Sequence, residues 1–430
     1  MNKKQKLIYL YFIVLPIIDV MTALITRFTD FRLSLGMIIK GLTMVFTFVY
    51  VFFISKSKYR KPSIYYSIVL LTFGVLYCIT KTDMLNLHNF LYEVSYALHY
   101  LYFPIMIMGV FNIFDDYKMG KEIIYKILLI NSFIYVGLML IPYFTNTSFN
   151  SYRWDNVKGQ NGWFYSANET GAICILLLSS LLHIMDNKKK YKIALAIPML
   201  LSIAFIGTKV SYLGMIIVTI MVIITFMVRE KKDAFKLPIV LIAILLVICN
   251  FSPALSNLEN KIDELNNTEE TGNRKYRYER IEDLIKNKDV ARIIKLSLNG
   301  REDFFLKNYS VYSESRLSDK LFGISWCDRE IINYDVKKKL IEIDYLDIII
   351  HYGIIGFIVY FLPLIYLFVR MLKEKSKKNP EFWLYLILLL LELMVSSFAG
   401  HVLSAPAVSI YLVLVMYLIK LNKEKYKKAK

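Results

Sequence analysis

Long uncharged segments constrain this chain more than any single motif does. Many stretches of about 18 or more residues carry almost no charge, and an α-helix of that length crosses the hydrocarbon core of a bilayer. The 430 residues are 56% hydrophobic and 15% aromatic. A soluble protein of this length would show apolar residues at helical or strand period, interrupted by polar faces. The sequence therefore predicts an all-α polytopic membrane protein.

About twelve membrane spans follow from the rule that roughly 20 apolar residues cross the bilayer. They lie near residues 7–26, 34–54, 63–81, 90–113, 122–142, 169–185, 191–206, 210–228, 236–254, 345–371, 381–400 and 404–421. The N-terminal MNKKQK precedes a long apolar run without a small-residue cleavage site. This pattern predicts a retained first helix and no cleaved signal peptide.

The basic residues, which give a net charge of +18, predict the orientation of the chain. They form short clusters that fall on one side of the membrane in the twelve-span count: MNKKQK, SKSKYRK (55–61), NKKKYK (187–192), REKKDAFK (229–236), RMLKEKSKK (370–378) and KLNKEKYKKAK (420–430). Cytoplasmic loops carry an excess of Lys and Arg. We therefore expect both termini in the cytoplasm, and we expect no nucleic-acid partner.

One long loop between predicted spans divides the chain into three parts. Spans one to nine occupy 1–251, a large extracytoplasmic loop occupies 252–341, and spans ten to twelve with a basic cytoplasmic tail occupy 342–430. Within the loop, 256–288 is highly charged and predicts solvated helix. The stretch 299–326 mixes aromatic and charged residues at helical spacing, which suits either lying against the membrane or capping a cavity. An ordered loop of this length is usually functional.

The four cysteines, Cys78, Cys174, Cys249 and Cys327, show no metal-ligand spacing, and three lie within apolar segments as small core residues. The sequence also lacks an evident internal repeat or a Gly-rich phosphate loop. The cysteines therefore predict no metal site, and no cofactor is expected.

Ionisable side chains within the predicted spans are costly in a bilayer and are candidates for function. They are Asp19, Lys40, Glu93, His99, Asp347, His351 and Glu392. Most lie in the outer half of the predicted membrane. Asp19 and Lys40, on neighbouring spans, predict a structural ion pair, and His99 predicts a hydrogen-bonded core residue.

An acidic stretch opens the tenth span. Asp344, Asp347 and His351 are spaced i, i+3, i+7 and share one helix face, with Glu342 just before them. Acidic residues at a helix start favour the helix dipole, which explains Asp344 but not His351, two turns further along. A carboxylate at this edge is a candidate general base.

Three cations lie in the outer connections: Arg153 in NSYRWDN, Lys209 in FIGTKVSYLG and Arg301 in NGREDFF. Arg forms fork-like hydrogen bonds to phosphate oxygens, and Lys supplies a point charge. Carboxylates beside cations at the level of the headgroups favour an anionic lipid substrate such as a diphosphate. The alternative is that each cation only anchors the chain at the interface.

Several stretches together resemble a known family. They are LPIIDVMTALITRF (15–28), NGWFYSANETGAI (161–173), GTKVSYLG (207–214), NGREDFFLKN (299–308) with LFGISW (321–326), and EIDYLDIIIHYGIIGF (342–357). With their order and the late outer loop, the chain resembles the O-antigen ligase and polymerase superfamily, in particular the O-antigen-ligase-like membrane proteins of Gram-positive bacteria.

This resemblance implies a glycosyltransferase in the bacterial plasma membrane, with its active site facing outside. Such enzymes pass a glycan from an undecaprenyl-diphosphate carrier to an acceptor hydroxyl without metal or nucleotide sugar. A polymerase extends another lipid-linked repeat unit, and a ligase uses a different acceptor. The many Lys, Ile and Asn residues, together with the resemblance of the motifs to those of Gram-positive bacteria, favour a capsule or exopolysaccharide polymerase. Expected partners are the lipid-linked oligosaccharide, the acceptor glycan, membrane lipid, and a flippase and chain-length regulator of the same pathway.

The resemblance also assigns residues. Catalysis falls to Glu342, Arg301 and Lys209, and substrate binding to Arg153, Asp344, Asp347, His351, Asn168 and Glu169. Many relatives have His at the position of Glu342 and Arg at that of Lys209, whereas Arg301 matches the Gly-Arg motif of the family. We expect the acidic entrance and the cations to gather around one pocket that opens away from the cytoplasm. A helix-start role is the alternative for Asn168 and Glu169.

Rival functions remain open at this point. A lipid-linked oligosaccharide flippase also needs about twelve spans and a charged cavity, but such transporters usually show repeats and midplane sites on broken helices. A scaffolding membrane protein would have no need for carboxylates within the membrane. Ligase-type transfer of a finished glycan is the alternative within the enzyme class.

Overall fold

The computed structural model describes residues 1–29, 35–81, 86–152, 157–186, 195–230, 236–268, 290–298, 301–326, 341–373 and 379–428. Across these ranges the regular structure is helical, and the β-type pairing is a single bridge between Asn150 and Gln160. Contacts divide the chain into two compact units. Unit one comprises Met1–Ile127 and Asp303–Lys430, and unit two comprises Leu128–Glu302.

Unit one contains the helices from both ends of the chain. They are α1 (Lys3–Phe28), α2 (Leu35–Val49) with a π-helical end (Tyr50–Ile54), α3 (Arg60–Thr80), α4 (Leu87–Tyr100), α5 (Tyr102–Asp116), the start of α6 (Lys121–Phe144), most of α14 (Arg301–Glu314), α15 (Leu317–Phe322), α16 (Asp344–Lys373), α17 (Pro380–Phe398) and α18 (Pro406–Lys428). Local signals begin several of them. In α1, Asn2 and Gln5 exchange side chain to backbone hydrogen bonds at 2.8 and 2.9 Å, which caps the first turn.

Unit two contains the helices from the middle of the chain. They are the rest of α6, α7 (Ala167–Leu177), α8 (Ser180–Asp186), α9 (Ala196–Ile206), α10 (Lys209–Glu230), α11 (Lys236–Cys249), α12 (Ala254–Thr268) and α13 (Val290–Leu298). The large loop predicted over 252–341 therefore contains four described helices, α12 to α15. The predicted division of the chain at residues 251 and 341 depends on which segments lie in the membrane, and it stays a prediction.

The core of unit one is built on α5 and α18, whose apolar side chains are buried nearly all round. Their neighbours α1, α2 and α3 instead expose large apolar side chains on one face: Leu7, Leu10, Leu42, Phe53, Leu71 and Ile79. Apolar faces of this extent suit contact with lipid. Burial therefore agrees with a membrane protein whose central helices are shielded by an outer layer.

Membrane-spanning helices match the predicted spans closely. Within the described residues, nine helices are long and apolar enough to cross a bilayer, and α4 with α5 forms a pair bent by 49° that would make a tenth. Ala196–Ile206 and Pro406–Asn422 are shorter apolar helices. Each predicted span overlaps one of these elements. The all-α polytopic membrane class is confirmed, and the number of about twelve spans stays a prediction.

The bend between α4 and α5 has a local cause. Pro104 has no backbone N–H, so the carbonyl of Tyr100 loses its helical partner and the helix breaks at Leu101. The predicted span 90–113 is thus two helices in the structure.

One end of unit one gathers three of the basic clusters. Asp115 accepts hydrogen bonds from Ser57 at 2.8 Å and from Lys420 at 3.1 Å. The guanidinium of Arg370 lies 5.2 Å from the ring centroid of Tyr59. The clusters 55–61, 370–378 and 420–430 therefore begin or end beside one another, as the positive-inside pattern predicts for segments on one side of a membrane.

A glycine break in α16 receives the LFGISW segment (321–326). Gly353 has φ 71 within the helix, and a Cβ atom there would lie 2.4 Å from the carbonyl of Leu321. The carbonyl of Ile350, near this break, instead accepts a hydrogen bond from Ile324 N–H at 3.0 Å. A Cβ atom on Gly323 would in turn meet the carbonyl of His351 at 2.0 Å. Two glycines thus permit backbone-to-backbone contact that side chains would prevent.

Replacing Gly353 with alanine should destabilise the protein by about 3 kcal/mol or more, because a left-handed non-glycine residue alone costs about 1–3 kcal/mol and the new carbon would also clash with Leu321. The measurement is the unfolding temperature of purified protein in detergent. The matched control is Gly74→Ala, since a Cβ atom at Gly74 meets nothing within 4 Å. Equal unfolding temperatures for the two variants would contradict this account of the break.

Candidate functional site

The predicted site residues fall in both units. Unit two contains Lys209, Arg301, Asn168 and Glu169, and unit one contains Glu342, Asp344, Asp347 and His351. Arg153 lies outside the described residues. Each group is described within its own unit.

The position of Lys209 is fixed by a tight turn between α9 and α10. Gly207 ends α9 with φ 72, and a Cβ atom there would lie 2.7 Å from the carbonyl of Lys158. Asn257 of α12 donates to the carbonyls of Lys158 and Gly207 at 2.5 and 3.0 Å. Its own side-chain oxygen accepts from Lys158 N–H at 2.8 Å. The turn before Lys209 is therefore held from two other segments.

Lys209 and Arg301 converge on the C-terminal end of α13. The ammonium of Lys209 donates to the carbonyl of Leu296 at 2.5 Å, and the guanidinium of Arg301 donates to that of Leu298 at 3.3 Å. Unpaired carbonyls at a helix C-terminus favour cations. Leu296 and Ile262 form an apolar contact that packs α13 on α12 and so sets where this helix ends. Two cations separated in sequence are thus brought together.

Lys261 and Tyr152, which the sequence reasoning missed, also belong to this basic group. Lys261 and Arg301 both act electrostatically on Lys209. The charge of Arg301 acts on the nearby Tyr152. The Tyr152 hydroxyl donates a hydrogen bond to the carbonyl of Gly207 at 3.5 Å. Burial raises the pKa of Tyr152 to about 12, against the opposing effect of the Arg301 charge. The phenol is therefore protonated at neutral pH. Its position beside Arg153 in NSYRWDN was the available signal.

Asn168 and Glu169 lie in the first turn of α7. The hydroxyl of Ser166 accepts a hydrogen bond from Glu169 N–H at 3.5 Å, so Ser166 caps this helix. An acidic residue in the first turn favours the helix dipole. The geometry fits the helix-start alternative for Glu169.

Asp344 is buried and engaged by the turn that connects α17 to α18. Its carboxylate accepts hydrogen bonds from the backbone N–H groups of His401, Val402 and Leu403 at 3.0, 2.9 and 2.8 Å. The hydroxyls of Ser396 and Ser404 donate to it at 3.1 and 2.6 Å. A carboxylate with these donors holds two helices and their turn together. These contacts are with protein, and the assignment of Asp344 to substrate binding stays a prediction.

Asp344→Asn should lower stability by about 3 kcal/mol or more, because the amide nitrogen would face N–H donors and leave buried groups unpaired. The measurement is thermal unfolding in detergent, compared with Asp303→Asn, which changes an exposed carboxylate of α14. If both variants have the unfolding temperature of the wild-type protein, Asp344 does not hold the turn.

Asp347 fixes the backbone immediately before α16. Its two carboxylate oxygens accept hydrogen bonds from the N–H groups of Ile341 and Glu342, each at 3.1 Å. Glu342 has φ 60, a left-handed conformation that is costly for a residue with a side chain. Asp347 thereby holds the backbone of Glu342, whose side chain is partly exposed. The predicted shared face of Asp344, Asp347 and His351 is buried in unit one.

His351 anchors the LFGISW segment. Its Nδ1 donates to the carbonyl of Ser325 at 3.0 Å, and its ring stacks on Trp326 with centroids 3.7 Å apart. The backbone N–H of Trp326 donates to Glu93 at 2.5 Å. Tyr77 donates to the other oxygen of Glu93 at 3.1 Å. The buried His351 is thus part of the packing that seats 321–326 on α16.

Other charged residues of the spans also have identifiable environments. Lys40 donates to Asp19 at 2.8 Å, which confirms the predicted ion pair between neighbouring spans. The second carboxylate oxygen of Asp19 is buried without a hydrogen-bond partner among the described residues. Glu392 is fully buried, and both of its oxygens lack a partner in the described part of the chain. No group of three or more His, Cys, Asp or Glu side chains in the described ranges is arranged to hold a metal ion.

Two chemical capacities emerge from these environments. Unit two places Lys209 and Arg301 together, and each donates a hydrogen bond to a backbone carbonyl at the end of α13. Unit one presents Glu342 on a backbone fixed by buried carboxylates. A cation cluster suits a phosphate-bearing leaving group, and a positioned carboxylate suits proton removal.

Comparison with known protein families gives a match over nearly the whole chain. The family model described as O-antigen ligase like membrane protein matches residues 1–425. No curated protein matches the chain.

Proposed function

The chain belongs to the O-antigen ligase like membrane proteins, and from that premise we propose that it is an envelope polysaccharide polymerase. The family is one of membrane enzymes that transfer glycans, of the ligase or polymerase kind. The proposed donor is a glycan on an undecaprenyl-diphosphate carrier, and the proposed acceptor is a hydroxyl of a lipid-linked repeat unit. A flippase that delivers the repeat unit and a regulator of chain length are the proposed pathway partners.

Lys209 and Arg301 are proposed to bind the donor diphosphate. The convergence of these two cations on the end of α13 is the observation that carries the proposal. Lys209 uses one of its three N–H donors on Leu296, which leaves donors for phosphate oxygens. Arg301 offers the planar fork that fits a phosphate group. Arg153, next to Tyr152 in the sequence, is proposed as an additional cation.

Glu342 is proposed to accept the proton of the acceptor hydroxyl. Asp347 supports this role by holding the Glu342 backbone, and Asp344 by holding the turn at 401–404. We propose that both act by positioning, and that His351 acts by seating 321–326. Asn168 and Glu169 are proposed to contact glycan at the start of α7.

The proposed transfer needs no oxidant or reductant. The acceptor oxygen forms a bond to the anomeric carbon of the donor sugar, and its proton passes to Glu342. The bond from that carbon to the diphosphate oxygen breaks, and the electron pair leaves with the diphosphate. Cations near the leaving group stabilise the charge that develops there. As in the family the chain resembles, the proposal involves no metal and no nucleotide sugar.

The proposed location is the bacterial plasma membrane, with the reacting groups on the outer side. Support comes from the basic clusters that meet near Asp115 and Tyr59, since such clusters face the cytoplasm. Glu342 lies just before α16, and Arg370 lies near the other end of this membrane-spanning helix.

Deletion and complementation in the source bacterium test the proposal. Cells that lack the chain should display surface glycan of single repeat units, and the wild-type chain should restore long polymers, as measured by gel electrophoresis of the extracted polysaccharide. Repeat units that stay on the inner leaflet would favour a flippase. Long polymers that accumulate on the lipid carrier would favour a ligase.

A further inference from the structure

Two non-glycine residues with left-handed backbones lie beside each other in unit one. Glu342 has φ 60 and His401 has φ 56. Such backbones are strained in residues that have a side chain, and they tend to occur at functional sites. His401 belongs to the turn between α17 and α18, more than fifty positions along the chain from Glu342.

The backbone of Glu342 lies against the residue that precedes His401. A Cβ atom on Gly400, the residue before His401, would lie 1.9 Å from the carbonyl oxygen of Glu342 and 3.2 Å from its Cα. Asp344 accepts from His401 N–H, and Asp347 accepts from Glu342 N–H. Two buried carboxylates of one helix thus fix both residues, and the side chains of Glu342 and His401 are both partly exposed.

His401 also lies near other ionisable groups. It acts electrostatically on His99 at the end of α4, as does Lys40 of α2. Lys40 is paired with Asp19, whose second carboxylate oxygen is buried without a partner among the described residues.

We propose that His401 is the proton-accepting partner of Glu342 in the acceptor step. This inference rests on the proposed function, because it assumes that an acceptor hydroxyl loses its proton at Glu342. The proton moves from the hydroxyl to the Glu342 carboxylate, then to the His401 imidazole, and from there to water. The acceptor oxygen meanwhile bonds to the anomeric carbon, and the diphosphate departs with the electron pair. An imidazole nitrogen can accept a proton from a carboxylic acid and pass it to water, which suits this relay.

The test separates chemistry from backbone conformation. Glycine and asparagine tolerate left-handed φ, so His401→Gly and His401→Asn keep the turn and remove the imidazole. Purified full-length variants are incubated with lipid-linked glycan extracted from cells that lack this chain, and the rate of chain extension is measured. We expect both variants to lose about 100-fold in rate. Added imidazole should restore about tenfold to His401→Gly, because it can occupy the vacated space and accept the proton.

His88→Asn is the matched control, since His88 is exposed in the first turn of α4 and should tolerate the change at full rate. If both His401 variants extend glycan at the wild-type rate while Glu342→Gln is inactive, the relay is overturned and the proposed function stands. Loss of rate with no rescue by imidazole, together with a lowered unfolding temperature, would assign His401 a structural role and also overturn it. A wild-type protein that extends no glycan would overturn the proposed function and this inference with it.

Discussion

Arg301→Ala is expected to lower the rate of glycan transfer by about 100- to 1,000-fold, the usual loss when a group that stabilises developing negative charge is removed. The guanidinium holds its place through the carbonyl of Leu298, and it adds to the positive charge around Lys209. Without the guanidinium, less positive charge stabilises the departing diphosphate. The measurement is the initial rate of chain extension by purified protein, with its unfolding temperature recorded in parallel.

Two further variants sharpen this prediction. Arg301→Lys keeps the charge and loses the fork, so its rate should lie between those of wild type and alanine. Arg316→Ala removes an exposed Arg from the start of α15 and should transfer at the wild-type rate. If Arg301→Ala retains full activity, the cations at α13 do not serve the leaving group.

Glu342→Gln is expected to lower the transfer rate by about 100-fold or more, because the amide cannot accept the proton of the acceptor hydroxyl. The variant keeps the size of the side chain, and Asp347 still accepts from the backbone N–H of residue 342. Glycan binding should therefore persist. The measurement combines the rate of chain extension with retention of radiolabelled lipid-linked glycan by the purified variant.

Glu342→Asn provides a second version of this test, since asparagine tolerates the left-handed φ of this position. It should fold normally and be as inactive as Glu342→Gln. The control is Glu314→Gln, which alters an exposed carboxylate at the end of α14. Full activity in both Glu342 variants would show that another group removes the proton.

The spans were predictable because their signal is local. About twenty apolar residues in a row predict a helix wherever they occur, so the predicted span 345–371 is the helix Asp344–Met371 and the predicted span 381–400 is Pro380–Phe398. The break in span 90–113 had a signal too, in Pro104, but a proline bends some helices and is tolerated in others, as Pro142 near the end of α6 illustrates.

Partners from distant segments were not predictable. The spacing of Asp344 and Asp347 predicted a shared helix face, and both are indeed buried. Nothing local indicates that Asp344 meets the turn at 401–404, more than fifty residues later, or that Asp347 folds back on Glu342. Hydrogen bonds between distant segments depend on tertiary packing, and one sequence does not contain that information in readable form.

For the basic group, too, the individual residues were predictable and their contacts were not. Lys209 and Arg301 were predicted individually, from charge and from the family resemblance. Their meeting at the end of α13 depends on the packing of that helix against α12 through Leu296 and Ile262. Tyr152, Lys261 and His401 were missed because each looks ordinary in isolation: a tyrosine in a loop, a lysine in a charged segment and a histidine after glycine.

Transfer by the purified protein is the most direct test of the central claim. Wild-type protein in detergent or lipid is mixed with the lipid-linked repeat unit extracted from cells that lack it, and the products are separated by length. We expect a ladder of lengthening glycans on the lipid carrier, lost in Glu342→Gln and Arg301→Ala. Repeat units that remain single in the presence of correctly folded protein would contradict the assignment of this chain as a polymerase.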